Sequence, residues 1–158
     1  MDYVNLVCMI VTSVINVSTS LERRLERILN VLDNVASEAS EGIPIVVEGE
    51  KDINALKRLS VAGNFISAKT SGKSLLDVLS EVEAQEKPEV IMLMDFDKRG
   101  REMTVRLARG LERMGIKPNL VFWKTLFSLV GRDVKDVEGL VTYVKNLQEK
   151  MGKNILNV

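Results

Sequence analysis

Val90-Ile91-Met92-Leu93-Met94 is an unbroken apolar run that stops at Asp95, and its reading decides the fold. Alternating polarity would mark a strand with one wet face, whereas a continuous run after Pro88 predicts a central parallel strand covered on both faces. Upstream, Ile43 to Val47 is a second β-branched run, opened by Pro44, which a strand start tolerates, and closed by Glu48-Gly49-Glu50. Phe65 to Ser67 and Leu120 to Trp123 read as two further short strands. Between the strands, helical spacing recurs in Ile53, Leu56 and Leu59, in Leu75, Leu76, Leu79 and Val82, and in Met103, Leu107, Leu111 and Met114, with Gly115 placed as a C-cap. Strict alternation of strand and helix predicts an α/β three-layer sandwich around a mostly parallel sheet of about four core strands.

Helices flank this unit. Thr19 to Glu22 fits a capping box, and Leu21, Leu25, Ile28, Leu29, Leu32 and Val35 follow at helical spacing. At the other end come the apolar stretch Leu126 to Val130 and a last helix carrying Val137, Leu140, Val141, Val144 and Leu147. Residues Tyr3 to Leu21 carry no charge but are interrupted by Asn5, Thr12, Ser13 and Asn16, and Asp2 stands where a signal peptide would be basic. They read as an extra β-rich or helical segment packed on the domain or on a partner, or as an upstream extension, and not as a membrane anchor.

Composition narrows the chemistry. The chain has 158 residues, 46% hydrophobic, with 22 Lys and Arg balancing 22 Asp and Glu, which suits one self-sufficient domain. With no histidine, imidazole acid-base chemistry and His-ligated metals are excluded. Cys8 is the single cysteine, so there is no internal disulfide or thiolate cluster, and a cytoplasmic location is expected. Any metal must be held by oxygen.

Ligands of parallel sheets gather at the carboxyl ends of strands, which selects Glu48 after one core strand and Asp95 and Asp97 after another. Residues i and i+2 at a strand end face the same way, so Asp95 and Asp97 can offer two hard oxygens to one Mg²⁺, and Glu48 can join from a neighbouring strand. Converging carboxylates either bind a cation or hold a proton, and the second case suits Glu48 as a general acid or base. Gly49 and Gly100 follow these acids, positions where a backbone can approach a phosphate closely.

Val47-Glu48-Gly49-Glu50-Lys51-Asp52 followed by Met94-Asp95-Phe96-Asp97-Lys98-Arg99-Gly100 resembles the Toprim domain shared by topoisomerases, bacterial-type primases, OLD-family nucleases and the nuclease that matures 5S ribosomal RNA. The resemblance covers about residues 43 to 125 and is greatest to the small stand-alone Toprim proteins of archaea, with Arg132-Asp133-Val134-Lys135-Asp136 similar to their C-terminal part. It implies acid-base duty for Glu48 and Mg²⁺ or Mn²⁺ held by Asp95 and Asp97 with Glu48. The implied organisation is an apolar segment at 1–18, a helix at 19–42, a Toprim domain at 43–130 and a helical extension at 131–158. Where topoisomerases of the family carry a third aspartate, this chain has Arg99, and Tyr3 and Tyr143 are its only tyrosines, so strand passage is not expected. Primase activity is not expected either, since the zinc module and basic domain that accompany Toprim in primases are missing.

What remains is metal-dependent phosphoryl transfer on RNA or DNA, of which nuclease cleavage is the simplest form. Residues 98 to 117 hold seven basic side chains, among them Lys98, Arg99, Arg101, Arg106, Arg109 and Arg113, against Glu102 and Glu112. With Lys51 they form a candidate phosphate-tracking ridge beginning beside the aspartates. The alternative is a non-catalytic nucleic-acid-binding or assembly subunit, docked with protein partners in RNA processing or repair. A phosphate-signalling receiver fits poorly, because receivers place an acidic pair at the first strand and a lysine after the fifth. Ser71-Gly72-Lys73-Ser74 lacks the first glycine of a P-loop, Ser67 standing there instead, and reads as a loop and N-cap. Phe122-Trp123 and Phe127 read as sheet core and its cover.

Overall fold

The computed structural model describes residues 3–69 and 72–158. Ten elements follow one another: α1 (Tyr3–Ser40), β1 (Ile45–Val47), α2 (Glu50–Arg58), β2 (Phe65–Ser67), α3 (Leu75–Glu83), β3 (Glu89–Leu93), α4 (Lys98–Arg113), β4 (Lys117–Asn119), α5 (Val121–Val130) and α6 (Val137–Lys150). The four strands form one parallel sheet in the order β2-β1-β3-β4. This is the expected α/β class, with helices at both termini.

Period-two alternation divides the strand side chains between two cores. Ile45, Val47, Ile91 and Leu93 face a core closed by α1, α2, α5 and α6, whereas Val46, Val90, Met92 and Met94 face a second one closed by α3 and α4. Val90 to Met94 are all buried to within 1% exposure, so the unbroken apolar run does mark a strand that meets no water on either face.

The topology creates one crevice. The chain leaves β1 through α2 on one face of the sheet and leaves the adjacent β3 through α4 on the other, so the β1 and β3 carboxyl ends flank a switch point. Val47 pairs with Leu93 across it. Glu48 and Asp95 are therefore neighbours at the carboxyl end of the sheet.

Local expectations need correcting at several places. Leu120 to Trp123 is not a strand: β4 ends at Asn119, whose side chain accepts the Val121 N–H at 3.0 Å and starts α5. Phe122, Trp123, Leu126 and Val130 are then buried at helical spacing, and a short apolar run fits either period. The helix expected at 19–42 begins instead at Tyr3, and Thr19 lies inside it. No glycine or proline interrupts residues 3–40, and Thr12 returns its hydroxyl to the Cys8 carbonyl at 2.7 Å, a local bond that leaves the helix continuous. Leu76 is 73% exposed and Met114 lies at the surface, so neither contributes to the core. Ser74 caps α3 in a reciprocal box with Asp77, as the loop reading expects, while Ser71 lies outside the described residues.

Candidate metal and nucleic-acid site

Glu48 follows β1 directly and is 5% exposed. Its Oε1 pairs with the Lys69 ammonium, which arrives from the end of β2, while its Oε2 is buried without a partner. Asp95 follows β3 and has an orphaned buried oxygen too, Oδ1. The backbone beside it is tied twice: Phe96 N–H donates to the Lys135 carbonyl, in the loop before α6, at 2.7 Å, and Trp123 Nε1, from α5, donates to the Met94 carbonyl at 2.8 Å. Phe96, Trp123 and Phe127 pack as an aromatic trio beneath, which fixes the backbone that presents Asp95.

Glu48, Asp95, Asp52, Asp136, Glu138 and Lys69 line one open depression of about 270 Å³. Asp52 sits in the first turn of α2, where its Oδ2 accepts the Gly49 N–H at 2.9 Å. Asp136 caps α6 by accepting the Gly139 N–H at 2.6 Å, so the start of that helix is turned toward the acids. Crowding shows in the proton affinities. Burial, then the charges of Asp136 and Asp97, push the Asp95 carboxyl up to about 6. Burial pushes Asp52 up to about 6 as well, against the Gly49 N–H, which favours its ionised form.

The expected ligand trio is only partly assembled. Glu48 and Asp95 share the depression, whereas Asp97 stands outside its lining as the exposed N-cap of α4, accepting the Gly100 N–H at 2.7 Å. Among the described residues no three carboxylates are drawn close enough to hold one ion. The donor chemistry nevertheless suits a hard divalent cation: Glu48 and Asp95 each present a buried carboxylate oxygen without a partner, Asp52 and Asp136 stand in reserve, and such an ion would offset the repulsion among them. Glu48 and Asp95 are the residues that would hold it.

The two glycines differ. A Cβ on Gly100 would stand 2.3 Å from the Asp95 carbonyl oxygen, so its close approach is to the chain's own backbone. Gly49 has extended backbone and open space, its nearest neighbour being Asp52 Oδ2 at 4.0 Å. Lys51, Lys98, Arg99, Arg101, Arg106, Arg109 and Arg113 are all exposed. Lys51 lines the acidic depression itself, Arg101 lies over the Phe127 ring at 5.6 Å from its centre, and Lys98 stands 4.0 Å from Glu102. Lys73 donates to the Ser67 carbonyl and pairs with Glu81, both at 2.7 Å, which leaves it structural.

Asp52, Lys69, Asp136 and Glu138 were not singled out from the sequence. Asp52 and Asp136 lie inside the quoted motifs without an assigned role, and nothing in the local pattern around Lys69 marks it.

No protein-family model matches the chain. Among curated proteins it is 38% identical over 130 residues to the UPF0292 protein of Methanosarcina barkeri, spanning 82% of this chain and 89% of that one. The chain belongs to the UPF0292 family. The UPF0292 protein of Methanosarcina acetivorans is 39% identical over 82% of this chain and 88% of its own, and that of Methanocaldococcus jannaschii 36% identical over 75% and 91%. A solved structure of an Aquifex aeolicus protein superposes with a TM-score of 0.57 at 24% identity, covering 70% of this UPF0292 chain and 94% of that one, a likeness of fold. No helix among the described residues is long and apolar enough to cross a membrane.

Proposed function

We propose that this UPF0292 protein is a stand-alone Toprim-type protein of the cytoplasm that binds Mg²⁺ and acts on RNA or DNA by phosphoryl transfer, as a nuclease. The observation that carries the reading is the pair of orphaned buried oxygens, Glu48 Oε2 and Asp95 Oδ1, at the β1/β3 switch point. A bound divalent ion would supply charge neutralisation at the scissile phosphate. Glu48 and Asp95 hold that ion, and Glu48 is also the group placed to move a proton at the reacting oxygen. The exposed arginines of α4 bind the backbone on either side and set the register of the substrate.

A second reading, a non-catalytic binding or assembly subunit, is favoured by one observation: Asp97 is committed to capping α4 outside the depression. The two are separated by incubating the protein with end-labelled single- and double-stranded RNA and DNA, with Mg²⁺, Mn²⁺ or chelator, beside Glu48→Gln and Asp95→Asn. Metal-dependent cleavage lost in both variants is expected. Salt-sensitive binding without cleavage, unchanged by either substitution, overturns the enzyme and leaves the binding subunit.

A further inference from the structure

Glu48 already has a cation. Its carboxylate is almost fully withdrawn from water, which is tolerable only beside an opposite charge, and the Lys69 ammonium supplies it at Oε1. The backbone around this lysine is tied to the same strand end: Lys69 N–H donates to the Glu48 carbonyl at 2.9 Å and the Ser67 hydroxyl to that carbonyl at 3.3 Å. The side chain, by contrast, is 35% exposed and curls in from the rim of the depression. Its anchor is fixed and its charge is free to swing, which a compact ammonium on a four-carbon stem does more readily than an arginine fork.

We propose that Lys69 is a tethered cation that exchanges with the divalent ion at Glu48. In the metal-free protein the ammonium holds the carboxylate. A divalent ion bound by Glu48 Oε2 and Asp95 Oδ1 repels an ammonium on the same carboxylate, so the lysine withdraws to the open side of the depression. The ion must displace this internal competitor, and Lys69 therefore weakens metal binding while keeping the empty site folded. The inference rests on the reading of Glu48 and Asp95 as metal ligands.

The test is calorimetric titration of Mn²⁺, without nucleic acid, into the full chain and its Lys69→Met, Lys69→Arg and Glu48→Gln variants. Lys69→Met is expected to bind Mn²⁺ about tenfold more tightly than the natural sequence, or ~1.4 kcal/mol, and Lys69→Arg, whose fork swings away less readily, no more tightly than the natural sequence. Equal or weaker binding by Lys69→Met, with Glu48→Gln binding lost, overturns the exchange and leaves the metal site standing. Binding unaffected by Glu48→Gln, or absent throughout, overturns both. A second measurement needs no variant: amine acylation at Lys69, followed by peptide mapping in the unsubstituted protein, is expected to quicken severalfold at saturating Mn²⁺. An unchanged acylation rate overturns the exchange.

Discussion

Asp95 and Asp52 both prefer a proton more than free carboxylates do, each having risen to about 6 chiefly through burial. Unfolded, they titrate near 4. Between pH ~4 and ~6 the folded protein therefore holds more protons than the unfolded chain, so stability is full below that window and is lost as pH rises through it. Metal-free protein is expected to melt at a higher temperature at pH 5 than at pH 7.5. Asp95→Asn removes one of the opposed charges, so it is expected to stabilise the metal-free fold at pH 7.5 by about 1 kcal/mol, allowing for partial exposure. Thermal melts across pH in chelator check both, and an Asp95→Asn variant less stable than the parent contradicts the account. The glycines give a sharper contrast. Gly100→Ala drives a methyl into the Asp95 carbonyl and is expected to cost roughly 1–3 kcal/mol, whereas Gly49→Ala, in extended backbone with open space, stays within about 0.5 kcal/mol in urea unfolding.

Among the elements, the strands with the clearest sequence signal are those buried on both faces, since β1 throughout and β3 from Val90 onward need apolar side chains. β4, written Lys117-Pro118-Asn119, has no such signal, because it is a three-residue edge strand with an exposed lysine at its start. The candidate site divides the same way. Glu48 and Asp95 are legible because they end those two strands, while Asp136 and Lys69 reach the depression through tertiary packing of α6 and the turn after β2, which no local spacing encodes. Helix α4 carries the testable consequence at this scale. Leu107, Ala108 and Leu111 bury one stripe and leave Arg106, Arg109 and Arg113 in water, where they are free to track phosphates. Each neutralisation, Arg106→Gln or Arg109→Gln, is expected to lower the slope of log affinity against log salt by about 1 for single-stranded RNA or DNA. Fluorescence anisotropy at graded KCl measures it, and an unchanged slope removes α4 from the interface.

For the whole molecule, the question is where the cooperative unit begins. α1 is one helix of 38 residues, yet residues 7–12 and those from Leu25 onward live in different surroundings. From Leu25 onward it gives Ile28, Leu32 and Val35 to the core shared with α5 and α6, and those side chains are at most 2% exposed. Val7, Met9, Ile10 and Val11 are 44 to 63% exposed, so burial of these residues adds little to the stability of the fold. Sequence periodicity finds the second half through its stripe, and the capping box at Thr19 mimics a helix start where the packing, not the helix, begins. Removing residues 1–18 is accordingly expected to leave a cooperative fold whose melting temperature lies within about 2 °C of the full chain, since Val7, Met9, Ile10 and Val11 lie largely in water. Cutting seven residues further, into Leu25, deletes a fully buried side chain and is expected to cost about 2–5 kcal/mol. Differential scanning calorimetry of the two truncations compares them directly. A large loss on the first cut would show that the apolar amino-terminal turns are part of the folded body.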